Sequence, residues 1–214
     1  MDKSIIDDAL RFVKNIFAGE SSGHDCFHTL RVFNTATKIA KGEGADLITV
    51  QLAALLHDVD DIKLSPETHE GKVRAVTFLK GHGATEDEIQ TICRIIDEVS
   101  FKGTDSVTPE TVEGKCVQDA DRLDAICAIG IARAFAYGGN HNRVMHDPEI
   151  KPALNMNGKE YRNHISTTVN HFHEKLFLLK DMMNTATAKE IAVKRDEFMK
   201  EYIAQFSAEW DGKL

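Results

Sequence analysis

The chain has 214 residues, 42% of them hydrophobic, which is enough for one domain with a full core. Its formal net charge of −8, with no basic face, argues against a nucleic-acid backbone as partner. A small anionic substrate is still compatible with this charge, because a bound metal ion can invert the charge of a site locally.

Cysteine use and the N-terminus point to the compartment. The four cysteines are scattered without CxxC spacing, which is typical of a reduced cytosolic protein. The first residues, MDKSIIDDALRFVK, predict an amphipathic helix with acidic residues and not a signal peptide. No apolar run approaches the ~20 residues that span a bilayer. We therefore expect a cytoplasmic protein without a membrane partner, whose oligomeric state stays open.

Helical spacing of apolar residues runs through the whole chain, and strand-like alternation is missing. Helices are predicted over about residues 2–18, 25–41, 47–59, 67–80, 85 onward, 108–136, 161–183 and 187–208. Thr85 with Glu88 forms a capping-box pattern, and Thr108-Pro109 resembles an N-cap followed by proline at the first helical position. The predicted fold class is all-α, a compact single-domain helical bundle.

A long polar segment interrupts this pattern at Tyr137–Lys159. Loops of that length within a compact domain are often functional lids, and disorder is the alternative. We expect this loop to help close a pocket, with Arg143 near a bound substrate.

Histidines and aspartates at three places in the chain suggest a metal site. His28 lies on the second predicted helix, and the adjacent pair His57-Asp58 ends the apolar third helix. A later helix carries three carboxylates, Asp119, Asp121 and Asp124. Imidazole with carboxylate suits a divalent transition metal and does not resemble a structural thiolate site.

Each of these residues also has an ordinary structural interpretation. A lone histidine on an apolar helix is usually a packed, hydrogen-bonded core residue, and an acidic run is usually a solvated helix face. Here the run is flanked by Val117, Ala120, Leu123 and Ile126, so that its helix is predicted to be largely buried. The three places together are therefore a stronger signal than any one of them.

These motifs resemble the HD superfamily of metal-dependent phosphohydrolases. The segments that carry the resemblance are GHDCFHTLRV, LAALLHDVDDIK and VQDADRLDAICAIGIARAF. The tail MMNTATAKEIAVKRDEFMKEYIAQF and the YGG…R…DP pattern are similar to small single-domain bacterial members of that superfamily. The resemblance covers nearly the whole chain. It implies one HD domain over residues 1–214, with a metal-site core at about 20–136 and C-terminal helices at about 160–209.

The resemblance also implies a cofactor and its ligands. One divalent ion, which could be Mn, Fe, Co, Ni, Zn or Mg, would be held by His28, His57, Asp58 and Asp121. Asp121 is chosen among the three carboxylates because family members place the last ligand in an A-D-[RK]-L context, as in ADRL here.

The activity that the resemblance implies is hydrolysis of a phosphoester or phosphoanhydride in a nucleotide or similar small phosphorylated substrate, through a metal-activated water. Asp61 is the candidate for orienting the water or acting as base, and Lys63 for neutralising phosphate charge. The other candidates for substrate contact are His24, Asp25, Arg31, Arg122 and Arg143.

Two other functions remain open on the sequence. One is a non-catalytic helical binding module that keeps the metal as a structural staple. The other is a di-iron oxygenase, since His69 and His82 lie between Asp58 and Asp121, where two-metal relatives place added ligands. Their flanking residues do not resemble those motifs, which makes this the weaker alternative.

Overall fold

The computed structural model describes residues 4–19, 25–61 and 65–214, and every regular element in these ranges is helical. The predicted all-α class is confirmed. The α-helices are α1 (Ser4–Ile16), α2 (Cys26–Glu43), α3 (Leu47–Leu56), α4 (Pro66–His69), α5 (Val73–Gly81), α6 (Glu86–Val99), α7 (Val112–Asp124), α8 (Cys127–Asn140), α9 (Gly158–Asn163), α10 (Thr168–Glu174) and α11 (Ala186–Trp210). None of these helices combines the length and the apolar character that crossing a membrane requires.

The chain divides into two compact units, and the first comprises Met1–Ser100 and Val107–Asp121. Helix α3 is its core, and it packs against α1, α2 and α6. Its residues 52–56, LAALL, are fully buried. Because this second half of α3 is apolar on all sides, it is stable only where other helices surround it. This burial fixes the position of His57 and Asp58, which follow α3 directly.

The second unit comprises Phe101–Ser106 and Arg122–Leu214. In it, α11 packs on α8 and on a 3-10 helix, Leu176–Met182. The rings of Phe135, Phe172, Tyr202 and Phe206 lie against one another, with Phe172 fully buried. Aromatic side chains of this size dominate the apolar area that a small unit can bury. The single domain expected for the whole chain stays a prediction.

The predicted capping box at Thr85 and the predicted glycine stop after α2 are both confirmed. At the start of α6, Thr85 Oγ1 accepts a hydrogen bond from Glu88 N, and Glu88 Oε2 accepts one from Thr85 N at 2.7 Å. Helix α2 ends at Gly44, which has the left-handed φ of 71° that favours glycine.

Three of the predicted long helices are broken, so the prediction was wrong for them. The helix expected over 67–80 is two helices, α4 and α5, because the backbone turns through positive φ at Gly71 (81°) and Lys72 (50°). The helix expected over 161–183 is likewise two α-helices and a 3-10 helix. The predicted loop also begins later than expected, because Tyr137 still belongs to α8.

The helix expected over 108–136 starts only at Val112 and is interrupted between α7 and α8. Ile126 is extended there, and Cys127 has a positive φ of 68°. Gly130 explains how the chain tolerates this turn, since a Cβ atom at Gly130 would lie 2.1 Å from the carbonyl oxygen of Ala125. The start of α8 therefore folds back closely on the end of α7, and only glycine leaves room for that approach.

The close approach predicts the effect of adding one methyl group. Gly130→Ala should lower the melting temperature by roughly 2–10 °C, because overpacking against backbone costs about 1–3 kcal/mol in a protein of this size. Gly139→Ala is the matched control in the same helix, since its Cβ would meet no atom within 4 Å. Thermal unfolding followed by circular dichroism measures both, and equal melting temperatures would contradict the close packing at Gly130.

Candidate metal centre

The start of helix α2 places the first histidine. Asp25 is the N-cap of this helix, and its Oδ1 accepts a hydrogen bond from His28 N at 2.8 Å. The side chain of His28 is almost wholly buried. Asp25 was predicted to contact substrate, and in the structure its carboxylate holds the first turn of the helix that carries His28.

The end of helix α3 places the second histidine and orients its ring. His57 Nδ1 lies 2.9 Å from the carbonyl oxygen of Ala54, one turn earlier. A carbonyl oxygen can only accept, so Nδ1 carries the proton in this bond. In the neutral ring, Nε2 then carries a lone pair. Among the residues that the structure describes, this buried Nε2 has no hydrogen-bond partner.

Helices α2, α3 and α7 bring four side chains of the first unit together. His28 Nε2 lies 3.4 Å from Asp58 Oδ2 and 3.4 Å from Asp121 Oδ1. His57 Nε2 lies 3.3 Å from Asp58 Oδ2 and 3.9 Å from Asp121 Oδ1. The ligand atoms of His28, His57 and Asp58 all lie within 4.8 Å of one another. We call these four residues the His-Asp cluster.

The geometry of the His-Asp cluster fits a divalent metal. Ligand bonds of 2.0–2.2 Å place neighbouring ligand atoms roughly 3.0–3.6 Å apart, close to the shorter distances in the cluster. Two neutral imidazoles and two carboxylates carry a charge of about −2, which a divalent cation would neutralise. Asp121 has 27% of its side chain exposed, so that solvent reaches the cluster at this carboxylate.

The pKa shifts in the cluster follow from the same proximity. Burial lowers the pKa of His57, but the negative charges of Asp58 and Asp121 raise it more, and the pKa stands above its ordinary value. Burial raises the pKa of Asp121, but contact with His28 and the charge of His57 lower it more, and this pKa stands below its ordinary value. The raised pKa of His57 reports the negative potential of Asp58 and Asp121, and the lowered pKa of Asp121 reports the two imidazoles beside it. The cluster therefore favours a positive charge held next to its carboxylates.

The segment after Asp58 is held by residues that the sequence interpretation missed. Both oxygens of the buried Asp60 carboxylate accept backbone N–H bonds at the start of α5, from Arg74 N at 3.1 Å and Ala75 N at 2.9 Å. The Arg74 guanidinium donates to Val59 O at 3.3 Å and to Ser65 Oγ at 2.6 Å. Arg74 therefore ties down the chain on both sides of residues 62–64. Because Arg74 is distant from His57 and Asp58 in sequence, no sequence pattern predicted this supporting role.

The other predicted residues have different locations. Lys63 and His24 lie outside the described residues, and Asp61 and Arg31 are half-buried in the first unit. Arg122 and Arg143 belong to the second unit, where the buried Arg122 donates to the carbonyl oxygen of Met182. The roles given to these six residues stay predictions.

The remaining acidic and histidine candidates have other surroundings. Asp119 is fully buried, and Asp124 accepts a hydrogen bond from Arg133 at 2.7 Å. His69 Nδ1 bonds the carbonyl oxygen of Asp60 at 2.9 Å, and His82 Nδ1 bonds that of Phe78 at 2.8 Å. His69 and His82, the candidate ligands for a second iron, thus each use one ring nitrogen in a local backbone contact.

Comparison with known proteins agrees with this arrangement. The HD domain family matches residues 27–126, which contain all four residues of the cluster. The uncharacterized protein YpgQ of Bacillus subtilis is 39% identical over 204 residues, covering 94% of this chain and 91% of YpgQ. A crystal structure of YpgQ in complex with ADP has a TM-score of 0.72 at 37% identity and covers 95% of this chain and 97% of YpgQ.

Two further crystal structures are similar over nearly their whole length. A protein from Lactobacillus plantarum has a TM-score of 0.89 at 39% identity, covering 99% of both chains. An HD-superfamily hydrolase from Bacillus thuringiensis has a TM-score of 0.75 at 38% identity, covering 98% of both chains. With its cluster of histidine and aspartate inside the matched range, the chain belongs to the HD superfamily of metal-dependent hydrolases.

Proposed function

We propose that the protein is a phosphohydrolase that cleaves a phosphoester or phosphoanhydride in a nucleotide or similar small phosphate. The observation that carries this proposal is the convergence of four ligand atoms from three helices, with the buried His57 Nε2 lacking a hydrogen bond among the described residues. A buried imidazole nitrogen without a partner is costly unless a ligand satisfies it. Two imidazoles and two carboxylates together are a typical ligand set for a divalent metal ion.

In this proposal His28, His57, Asp58 and Asp121 hold one divalent ion. When bound, the ion supplies a hydroxide at neutral pH and polarises a phosphoryl oxygen. The Ala54 carbonyl keeps the proton on His57 Nδ1, so that Nε2 faces the site as a donor of its lone pair. Asp25 supports His28 in the same indirect way, through the backbone of the first turn of α2.

The substrate class is inferred from relatives and from charge. The relative YpgQ was crystallised with ADP, a nucleotide with a phosphoanhydride. A phosphoryl transition state spreads negative charge over its equatorial oxygens, so that the site needs cations besides the metal. We assign this role to Lys63 and Arg143, with Arg31 and Arg122 as further contacts. Asp61, three residues after Asp58, is the proposed base or water-orienting group.

The direct test of the activity is phosphate release from nucleoside mono-, di- and triphosphates with Mn, Co, Ni or Mg added to metal-free protein. We expect turnover of at least one nucleotide with one of these ions, and its loss on chelation, because the water is activated only by the metal. Re-addition of the ion is the control for irreversible damage. Absence of turnover with every ion and nucleotide would refute the proposal and favour a binding module.

The metal assignment is tested by removing one ligand. His57→Ala should reduce metal content from one ion per chain to near zero and abolish turnover, because three remaining ligands of a four-ligand site hold the ion weakly. Far-ultraviolet circular dichroism should stay helical. His173→Ala, at an exposed histidine on α10, is the matched control and should keep both metal and activity. Stoichiometric metal in the His57 variant, measured by elemental analysis, would contradict the ligand set.

Substitutions at the neighbouring residues Asp60 and Asp61 should have different effects. Asp61→Asn should lower kcat by about a hundredfold or more, as loss of a group acting in the transition state does. Asp60→Asn should instead lower the melting temperature. The two Asp60 oxygens each accept a bond from a different backbone N–H, and an amide has only one oxygen to accept both. Steady-state kinetics and thermal unfolding of both variants separate the two roles. Normal kcat in Asp61→Asn would remove that residue from the chemistry.

A further inference from the structure

A cavity of about 200 Å³ lies wholly within the second unit. Its lining combines two aromatic rings, two thioethers, a carboxylate and a hydroxyl, from Phe101, Tyr161, Met156, Met182, Glu174 and Thr104. None of these residues belongs to the His-Asp cluster. A concave, mostly apolar lining with a few polar groups is the usual character of a small-molecule site.

The two loops that form part of the lining are held together by backbone contacts. Thr104 N donates to Met156 O at 3.0 Å, and Gly158 N donates to Asp105 Oδ2 at 2.8 Å. Gly103 has a φ of 60°, and a Cβ atom there would lie 2.2 Å from Met156 O. Glycine is thus required for the loops to meet, and the cavity is formed before any ligand arrives.

The aromatic pair forms a fixed platform in this lining. The rings of Phe101 and Tyr161 lie edge to face, with centroids 5.2 Å apart and an interplanar angle of 79°. The Lys175 ammonium lies 5.0 Å from the Phe101 centroid and 5.8 Å from the Tyr161 centroid. A cation at this distance is attracted to both rings and holds the pair in place. Both rings remain partly exposed.

Glu174 supplies a buried acceptor in the same lining. Its Oε1 accepts hydrogen bonds from Ser166 Oγ at 2.8 Å and Ala153 N at 3.1 Å, and His164 Nε2 also lies 3.1 Å away. Its Oε2 takes part in none of these three contacts. A carboxylate oxygen is an acceptor only, and it suits the exocyclic amino group of a base.

Positive charge adjoins the aromatic platform. Burial, followed by the charges of Lys175 and Arg143, lowers the pKa of His171 to about 3. The His171 ring stacks on Tyr161 with centroids 6.4 Å apart, and its low pKa keeps it neutral at physiological pH. Lys175, which lies over the rings of the platform, supplies charge that an anionic group attached to a planar ring would need.

We propose that this cavity binds the nucleobase of a nucleotide, which contacts Phe101 and Tyr161 and donates from an amino group to Glu174. The inference deepens the proposed phosphohydrolase activity and rests on it for the identity of the ligand as a nucleotide. Contact between bases and aromatic rings tolerates every base, whereas the carboxylate favours the amino-bearing bases adenine, cytosine and guanine over uracil.

Binding is tested first with nucleosides, which lack phosphate and need no metal. In the whole protein labelled at its methionine methyl groups, adenosine should shift the NMR signals of Met156 and Met182. The signal of Met199, fully buried in α11, should not move. Phe101→Leu, which keeps apolar volume but loses the ring, should abolish the shifts, whereas Phe198→Leu at an exposed site should keep them. Absence of a shift with adenosine, cytidine and guanosine in the unmodified protein would overturn the proposal.

Kinetic measurements then show whether the base that the cavity binds belongs to the substrate or to a separate nucleotide. The ratio of KM for ATP to KM for inorganic tripolyphosphate should rise roughly fivefold or more in Phe101→Leu, if the cavity binds the base of the substrate. An unchanged ratio together with lost adenosine shifts would assign the cavity to a separate nucleotide ligand, which also supports the proposal. Absence of turnover with either compound would defeat the proposed activity, while the adenosine titration would still decide whether the cavity binds a base.

Discussion

The hydrogen bond from His57 Nδ1 to the Ala54 carbonyl, at the end of a fully buried helix, is the contact on which the rest of the site depends. It fixes the tautomer of the ring and directs Nε2 toward Asp58 and the carboxylate of α7. The position of this bond is fixed because the second half of α3 is apolar on all sides and α3 packs against α1, α2 and α6. A hydrophobic core thus determines where a polar, metal-binding nitrogen can point.

Contacts away from the cluster also fix the position of the chain after Asp58. Asp60 accepts hydrogen bonds from the backbone at the start of α5, and Arg74 donates to Val59 O and to the side chains of Ser65 and Glu67. A site built at a helix end needs such support, because the residues after the helix lack its regular backbone bonds. The structure therefore gives Asp60 a structural role, whereas the adjacent Asp61 is the residue that we propose for the chemistry.

The helical class followed from the pattern of the sequence, because apolar periodicity is a local signal. The set of residues 28, 57, 58 and 121 followed from the resemblance to the HD superfamily, since periodicity alone left Asp119, Asp121 and Asp124 as equal candidates. The breaks at Gly71-Lys72 and Ile126-Cys127 did not follow from the pattern of the sequence, because non-glycine residues at positive φ are set by packing and carry no local signal. Arg74 was missed for a related reason, since its contacts lie 9 and 15 residues away in sequence. The cavity at Phe101 and Tyr161 joins segments that are 60 residues apart, and only the folded chain reveals it.

The most direct test of the account is a crystal structure of the protein soaked with Mn²⁺, with diffraction recorded to locate the anomalous scattering of manganese. The account predicts one strong peak within about 2.0–2.3 Å of His28 Nε2, His57 Nε2 and a carboxylate oxygen of each of Asp58 and Asp121. A peak that these four residues do not share, or a cluster that stays without one at saturating Mn²⁺, would contradict it.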